Sequence, residues 1–304
     1  MGNMRGAALM VIAMLGFAVE DTLIKLMADE LPSGQILILL GLGGASVFTL
    51  WALIKGETPF ALRFLRGASG VRAICEGLAA LGFVTALALV PISLVTTIIQ
   101  ASPLMVTLGA ALFFKEAVGW RRWLAILVGL TGVLIVIRPF GETFEAAALF
   151  AVMGVTFMSA RDLATRQITG TISTLQLSVI GFLATIPAGA LGMIMAQATW
   201  VTPSLPTMGL YVMAVMIGVP ALYCIIAAMR IGDISFVTPF RYSRIVFGLI
   251  AGLMVFDETI DGYTLLGAAI IVTSGIYTLW REARLRRRTE RVKPPVNSDQ
   301  EPQT

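Results

Sequence analysis

Ten times along this chain a stretch of roughly 20 residues passes with few charged side chains, each bounded by charged or Pro/Gly-rich breaks. A helix rises about 1.5 Å per residue, so each stretch matches the ~30 Å hydrocarbon core of a bilayer. Composition excludes ten such helices in a soluble globule. Of 304 residues, 57% are hydrophobic and only 13% charged, with a mean hydropathy of +0.88, too little polar surface to cover a water-soluble fold. The runs fall at residues 6–27, 34–54, 68–89, 93–114, 120–137, 145–166, 174–196, 207–229, 235–256 and 262–281. Met1 to Arg5 is too short for the basic start of a cleavable leader and no convincing A-x-A site follows, so the first run is read as a span. Ten spans leave no room for a soluble catalytic domain. Cys75 and Cys224 both fall inside runs, where each reads as a small buried hydrophobe.

Charge sets the orientation. Eleven of the 22 Lys and Arg lie at the N-terminus or beside alternate breaks (Arg5, Lys55, Arg63, Arg66, Arg72, Lys115, Arg121, Arg122, Arg161, Arg166 and Arg230), and seven more lie between Arg281 and Lys293. The opposite breaks hold Lys25 and Arg138 against Asp29, Glu30, Glu142, Glu145, Asp257, Glu258 and Asp261. By the positive-inside rule both termini are expected in the cytoplasm. The formal net charge of +4 is therefore a topology signal and calls for no nucleic acid.

One phrase occurs twice. Ile92-Ser93-Leu94-Val95-Thr96 leads to Phe114-Lys115-Glu116, and Ile234-Ser235-Phe236-Val237-Thr238 leads to Phe256-Asp257-Glu258; 235 − 93 and 258 − 116 both equal 142. After the first copy the break is basic, with Lys115, Arg121 and Arg122; after the second it is acidic, with Asp257, Glu258 and Asp261. Five spans per half invert the second half relative to the first. The expected architecture is an all-α integral membrane protein of ten transmembrane helices in two inverted five-helix repeats, residues 1–140 and 141–282. Residues 283–304 form a basic, then disordered, tail against anionic lipid.

Charges inside the runs are the candidate functional residues. Asp21 and Lys25 are spaced i, i+4, as are Asp162 and Arg166, and Glu20 lies beside the first pair; each carboxylate is expected to pair with the cation one turn away. Snorkelling of Lys25 and Arg166 to the headgroups is the competing reading, while Asp21 and Asp162 are expected to face a cavity. Arg72 and Glu76, also i, i+4, read as an ion pair at headgroup level. In the ninth run, Pro239-Phe240-Arg241-Tyr242-Ser243-Arg244 places two guanidinium groups in apolar surroundings, where one central Arg costs about 2.5–3.5 kcal/mol. The fourth run is broken at the matching place by Gln100-Ala101-Ser102-Pro103, and Gln100 aligns with Tyr242. A substrate is expected between these two helices near the midplane, bound by Arg241, Tyr242, Gln100 and Ser102, with Arg244 and Tyr223 as further contacts. The alternative is that Arg241 and Arg244 neutralise Asp21 or Glu76. Glu20, Asp21, Lys25, Glu76, Asp162 and Arg166 are the expected coupling or gating charges. Gly41 with Ala45 and Gly248 with Gly252 are spacings for close helix packing.

The chain contains no His, no Gly-x-Ser-x-Gly elbow and no Gly-x-x-x-x-Gly-Lys-[Ser/Thr] loop, so His-based metal sites and triads, acyl-enzyme hydrolysis and direct ATP drive have no carrier. No cofactor and no metal is expected.

Several stretches together resemble the drug/metabolite transporter superfamily, in its ten-span branch with two EamA-type repeats: Pro91-Ile92-Ser93 through Phe114-x-Glu116, Trp120-Arg121-Arg122-Trp123, Gly129-Leu130-Thr131-Gly132-Val133 and Arg138-Pro139. The resemblance covers about Gly6 to Arg281. Asp21-x-x-x-Lys25, Asp162-x-x-x-Arg166 and Pro239-Phe240-Arg241-Tyr242 look most like the branch holding S-adenosylmethionine and riboflavin carriers; Gln35 to Leu39 depart from the aromatic-x-Arg signature frequent there. The resemblance implies a secondary transporter, working by alternating access in the bacterial inner membrane on a small polar or zwitterionic organic metabolite, and not an enzyme. Export of amino acids or toxic small molecules, an intramembrane enzyme using Asp21 and Asp162, and a membrane receptor are the alternatives.

Overall fold

The computed structural model describes residues 2–116, 118–139, 145–168, 172–231 and 234–292. Among them every regular element is helical: α1 (Gly2–Met27), α2 (Ser33–Ile54), α3 (Ala68–Leu89), α4 (Ile92–Ile99), α5 (Ser102–Phe113), α6 (Trp120–Ile137), α7 (Ala148–Arg166), α8 (Thr174–Met195), α9 (Leu205–Ile231), α10 (Ile234–Val237), α11 (Ser243–Val255) and α12 (Gly262–Val292), with short 3-10 helices at Leu62–Leu65 and Thr238–Tyr242. Nine segments of the described residues are long and apolar enough to cross a membrane, α4 and α5 together forming one. The tenth span is α10, the 3-10 turn and α11 in series. Glu142 and residues 293–304 lie outside the described residues; the first part of the basic segment continues α12 as helix to Val292.

Two spans are broken where the sequence places proline. Pro103 stands in the first turn of α5, where its missing N–H is no loss, and the N–H groups of Leu104 and Met105 both donate to the Ala101 carbonyl at 3.0 Å. Pro239 sits in the 3-10 turn between α10 and α11. At the second break the Arg241 carbonyl accepts a side-chain hydrogen bond from Gln100 at 3.0 Å.

The helices pair across the halves in a pattern set by the repeat. α1 packs on α9 and α3 on α7; α2 packs on α8, α6 on α12 and α4 on α11. Exchanging the halves converts the first pair into the second and leaves α2–α8 and α6–α12 unchanged, while α4 and α11 belong to the matched fourth and ninth spans, the signature of a pseudo-two-fold axis in the membrane plane. Van der Waals packing holds helices together in lipid, so backbones must approach closely. A Cβ on Gly34 of α2 would stand 2.5 Å from the Gly189 carbonyl oxygen of α8, and one on Gly267 of α12 would stand 2.7 Å from that of Gly132 of α6. Gly41 faces α8 in the same way, while Gly248 abuts Thr96 and Gly252 abuts Glu258.

The two ends of the bundle differ. At the far face, away from where α1 begins and α12 ends, side chains bolt the loops together. Lys25 Nζ donates to the carbonyls of Leu87 (3.1 Å) and Val90 (2.7 Å) and lies 5.3 Å from the Phe256 ring centre. Glu258 accepts from the N–H groups of Ile92 (2.6 Å) and Ser93 (3.1 Å), a carboxylate on the free N-terminal donors of α4. Gln35 and Val201 exchange two hydrogen bonds, Glu30 accepts from Ser204 and Thr207, and Arg138 pairs with Asp261. At the near face Arg166, the repeat counterpart of Lys25, reaches Glu116 at 3.4 Å and has no other ion-pair partner among the described residues, with the two side chains 43% and 50% exposed. A pairing expected within α1 and α7 therefore gives way: Lys25 does not meet Asp21 and Arg166 does not meet Asp162. One turn carries each cation about 5.4 Å closer to its membrane face, where loop carbonyls or a loop carboxylate stabilise it instead.

Two outcomes follow from this packing. Gly34→Val, which must displace backbone of α8, should lower stability by about 1–3 kcal/mol in detergent unfolding, whereas Gly209→Val, with no atom within 4 Å of the new Cβ, should not. Hydrogen bonds from Thr207 and Ser204 hold the Glu30 carboxyl below its ordinary value. Its contribution is thus present above the unfolded carboxylate pKa of about 4.3 and is lost as pH falls through the lower folded value. The melting-temperature gap between wild type and Glu30→Gln should be full at pH 7 and shrink under acid.

Candidate functional site

Where α1, α3, α7 and α9 meet α8 and the broken ninth span, the bundle encloses a cavity of about 520 Å3, within the size range of small-molecule sites. Its walls include Arg72 in the first turns of α3, Thr165 in the last turn of α7 and Thr174 at the start of α8, so it reaches toward the near face. Toward the far face it ends on Ile24, Leu37 and Val84, all buried in the main apolar core.

Eight charged side chains line this space, four acidic (Glu20, Asp21, Glu76, Asp162) and four basic (Arg72, Arg161, Arg241, Arg244). Most are tied to one another across the halves. Arg244 grips Asp21 by two nitrogens, Nε at 3.1 Å from Oδ2 and Nη2 at 2.8 and 2.7 Å from the two oxygens. Asp21 is only 2% exposed, so the fork supplies what water cannot. The same guanidinium lies 5.3 and 5.4 Å from the ring centres of Phe17 and Phe83. Arg161 bridges two carboxylates, donating from Nη1 to Glu76 at 2.9 Å and from Nε and Nη2 to Asp162 at 2.9 and 2.8 Å. Arg72 completes the wall, 3.4 Å from Glu76 and donating to the Leu177 carbonyl and the Thr165 hydroxyl at 3.1 Å each.

The structure thus brings together Glu20, Asp21, Glu76, Asp162, Arg241 and Arg244 of the expected set. The others lie elsewhere. Gln100 is buried and donates to the Arg241 carbonyl at 3.0 Å, which secures the 3-10 turn. Ser102 accepts from the Ser159 hydroxyl at 3.3 Å through its carbonyl. Tyr242 is buried against Gly275. Tyr223 is 55% exposed on the outside of α9, with its ring 5.7 Å from that of Trp51. Lys25 and Arg166 serve the faces described above. The fourth and ninth spans do touch, but the space lies beside them, against α1, α3 and α7. The expected Arg72–Glu76 pair is present and lines the same wall, while reading charges by spacing missed Arg72 and Arg161 as cavity residues. Its signal was present in the acid on each side of Arg161: Asp162 next in sequence and Glu76, which occupies the matching depth of α3.

The EamA-like transporter family model matches residues 4–138. A riboflavin transporter of Rhizobium johnstonii is 31% identical over 216 residues, covering 69% of this chain and 70% of its own length. An S-adenosylmethionine uptake transporter of Rickettsia bellii is 26% identical over 202 residues, covering 65% and 67%. One solved crystal structure superimposes with a TM-score of 0.60 at 18% identity over 90% of this chain and 98% of that one, a likeness of fold.

Because removing one partner of a buried pair leaves the other charge uncompensated, Arg244→Ala should destabilise the folded protein by about 3–5 kcal/mol. Adding Asp21→Asn should restore most of that loss, a coupling that a double-mutant cycle on detergent unfolding would measure.

Proposed function

The chain belongs to the EamA-like transporter family of the drug/metabolite transporter superfamily, and we propose that it is a secondary carrier working by alternating access on a small polar or zwitterionic organic metabolite. It is a multi-pass membrane protein and a small-metabolite transporter, not an enzyme. The single observation that carries the finer reading is the charge-lined cavity open toward one face while side chains bolt the loops of the other. Alternating access needs such a space at mid-bilayer and two ends that close in turn.

In this reading the membrane is the bacterial inner membrane and both termini are cytoplasmic, in line with the Lys and Arg at near-face breaks, so the cavity opens to the cytoplasm. The repeats divide near residue 140, each contributing one helix of the α1–α9 and α3–α7 pairs. Arg241 and Arg244 are the binding cations, and Glu20, Asp21, Glu76 and Asp162 are the carboxylates open to coupling. The relatives make riboflavin and S-adenosylmethionine the first solutes to try, with uptake as the direction.

Purified protein in liposomes should accumulate one of these labelled solutes transiently above equilibrium when the same unlabelled solute is trapped inside. Glu76→Gln should reduce the rate at least tenfold. Labelled solute that enters equally fast into empty and preloaded vesicles would exclude alternating access, and no entry of any solute through folded protein would exclude the carrier itself.

A further inference from the structure

Among the cavity's eight charges, the internal pairs leave two over. Asp21 takes Arg244, and Arg161 with Arg72 takes Glu76 and Asp162. Glu20 and the Arg241 guanidinium have neither an ion-pair partner nor a side-chain hydrogen bond among the described residues. Glu20 is repelled by its neighbour Asp21 and attracted by Arg244, which Asp21 already holds. Asp162 attracts Arg241 without bonding to it, its Oδ1 being occupied by Arg161. One free carboxylate and one free guanidinium therefore face the same water-accessible space, on different elements: Glu20 on α1 and Arg241 on the 3-10 turn before α11.

Resting on the carrier reading above, we propose that Glu20 and Arg241 are its specificity determinants, and that they select an amino-acid-type zwitterion joined to an apolar or aromatic body over an uncharged solute. Arg241 receives the anionic end, for which a planar guanidinium offers two parallel donors. Glu20 receives the cationic end. The remaining lining, with Phe17, Phe83 and Phe182 among it, is suited to a flat or apolar body. An uncharged solute would instead leave both groups without a counter-charge when it displaces their water, and a site built for charge rejects a ligand that lacks it.

The position of Glu20 is itself adjustable by a change on another helix. Gly218 of α9 lies so close that a Cβ there would stand 2.5 Å from a Glu20 carboxylate oxygen. The group in the way is the end of a flexible side chain, so Gly218→Ala moves the carboxylate while keeping its charge and leaving the backbone in place.

The test measures binding of S-adenosylmethionine, S-adenosylhomocysteine, 5′-methylthioadenosine and riboflavin to detergent-purified wild type, Glu20→Gln, Arg241→Gln and Gly218→Ala, with vesicle flux of the same four solutes in parallel. The two solutes with a zwitterionic amino-acid end, S-adenosylmethionine and S-adenosylhomocysteine, should bind and the two without one should bind at least tenfold more weakly. Each substitution should weaken the zwitterions about tenfold, with Gly218→Ala tracking Glu20→Gln, and should leave any residual 5′-methylthioadenosine binding unchanged. Riboflavin bound as tightly as the zwitterions and indifferent to Glu20 and Arg241 would overturn the assignment, while its flux would leave the carrier standing. If neither zwitterion binds, the assignment falls too, and absence of flux for all four solutes would take the carrier reading with it.

Discussion

A charged group in hydrocarbon must find an opposite charge, water or a membrane face, and this requirement organises the interior of the bundle. Asp21 and Arg244 answer it for each other although 223 residues separate them, and Arg161 answers it for Glu76 and Asp162 at once. Those contacts draw α1 to α11 and α3 to α7, and the space between the paired charges is the cavity. Structural ion pairs and the walls of a polar site are here the same side chains. Removing one of them should therefore alter stability and, in the carrier reading, binding as well, and the two effects separate only when each is measured on its own.

The spans were legible in the sequence to within a few residues because hydrophobic run length reports depth in the bilayer. The breaks in the fourth and ninth spans were legible as well, through Pro103 and Pro239. What spacing along the chain does not report is rotation about a helix axis. In a span apolar on nearly every side there is no polar face to fix that angle, and Gln100, Ser102 and Tyr242 are turned into the protein. Gln100 illustrates the reason: a helix break frees carbonyls, and a nearby amide satisfies the Arg241 carbonyl before any solute can use it. Cross-helix partners are likewise set by packing, which is why i, i+4 pairs looked attractive for Asp21 and Asp162 while the actual partners were a guanidinium on another span and an adjacent arginine.

The repeat made one part of the tertiary arrangement readable. Two inverted halves must exchange under a two-fold axis, and a helix lying on that axis can only meet its own counterpart. The α2–α8 and α6–α12 pairs obey this, and glycine lines both contacts, where the backbones come closest.

That symmetry holds for the fold and fails for the chemistry at the two ends. Lys25 presents a compact ammonium that settles on two loop carbonyls, whereas the matching position carries the broad planar fork of Arg166, engaged with Glu116 near the solvent. Likewise Asp257 on one side stands where Lys115 stands on the other. Exchanging the roles of the halves therefore does not regenerate an equivalent molecule. In the carrier reading proposed above, the two end states then differ in free energy, and the preference for one side is set by residues outside the cavity.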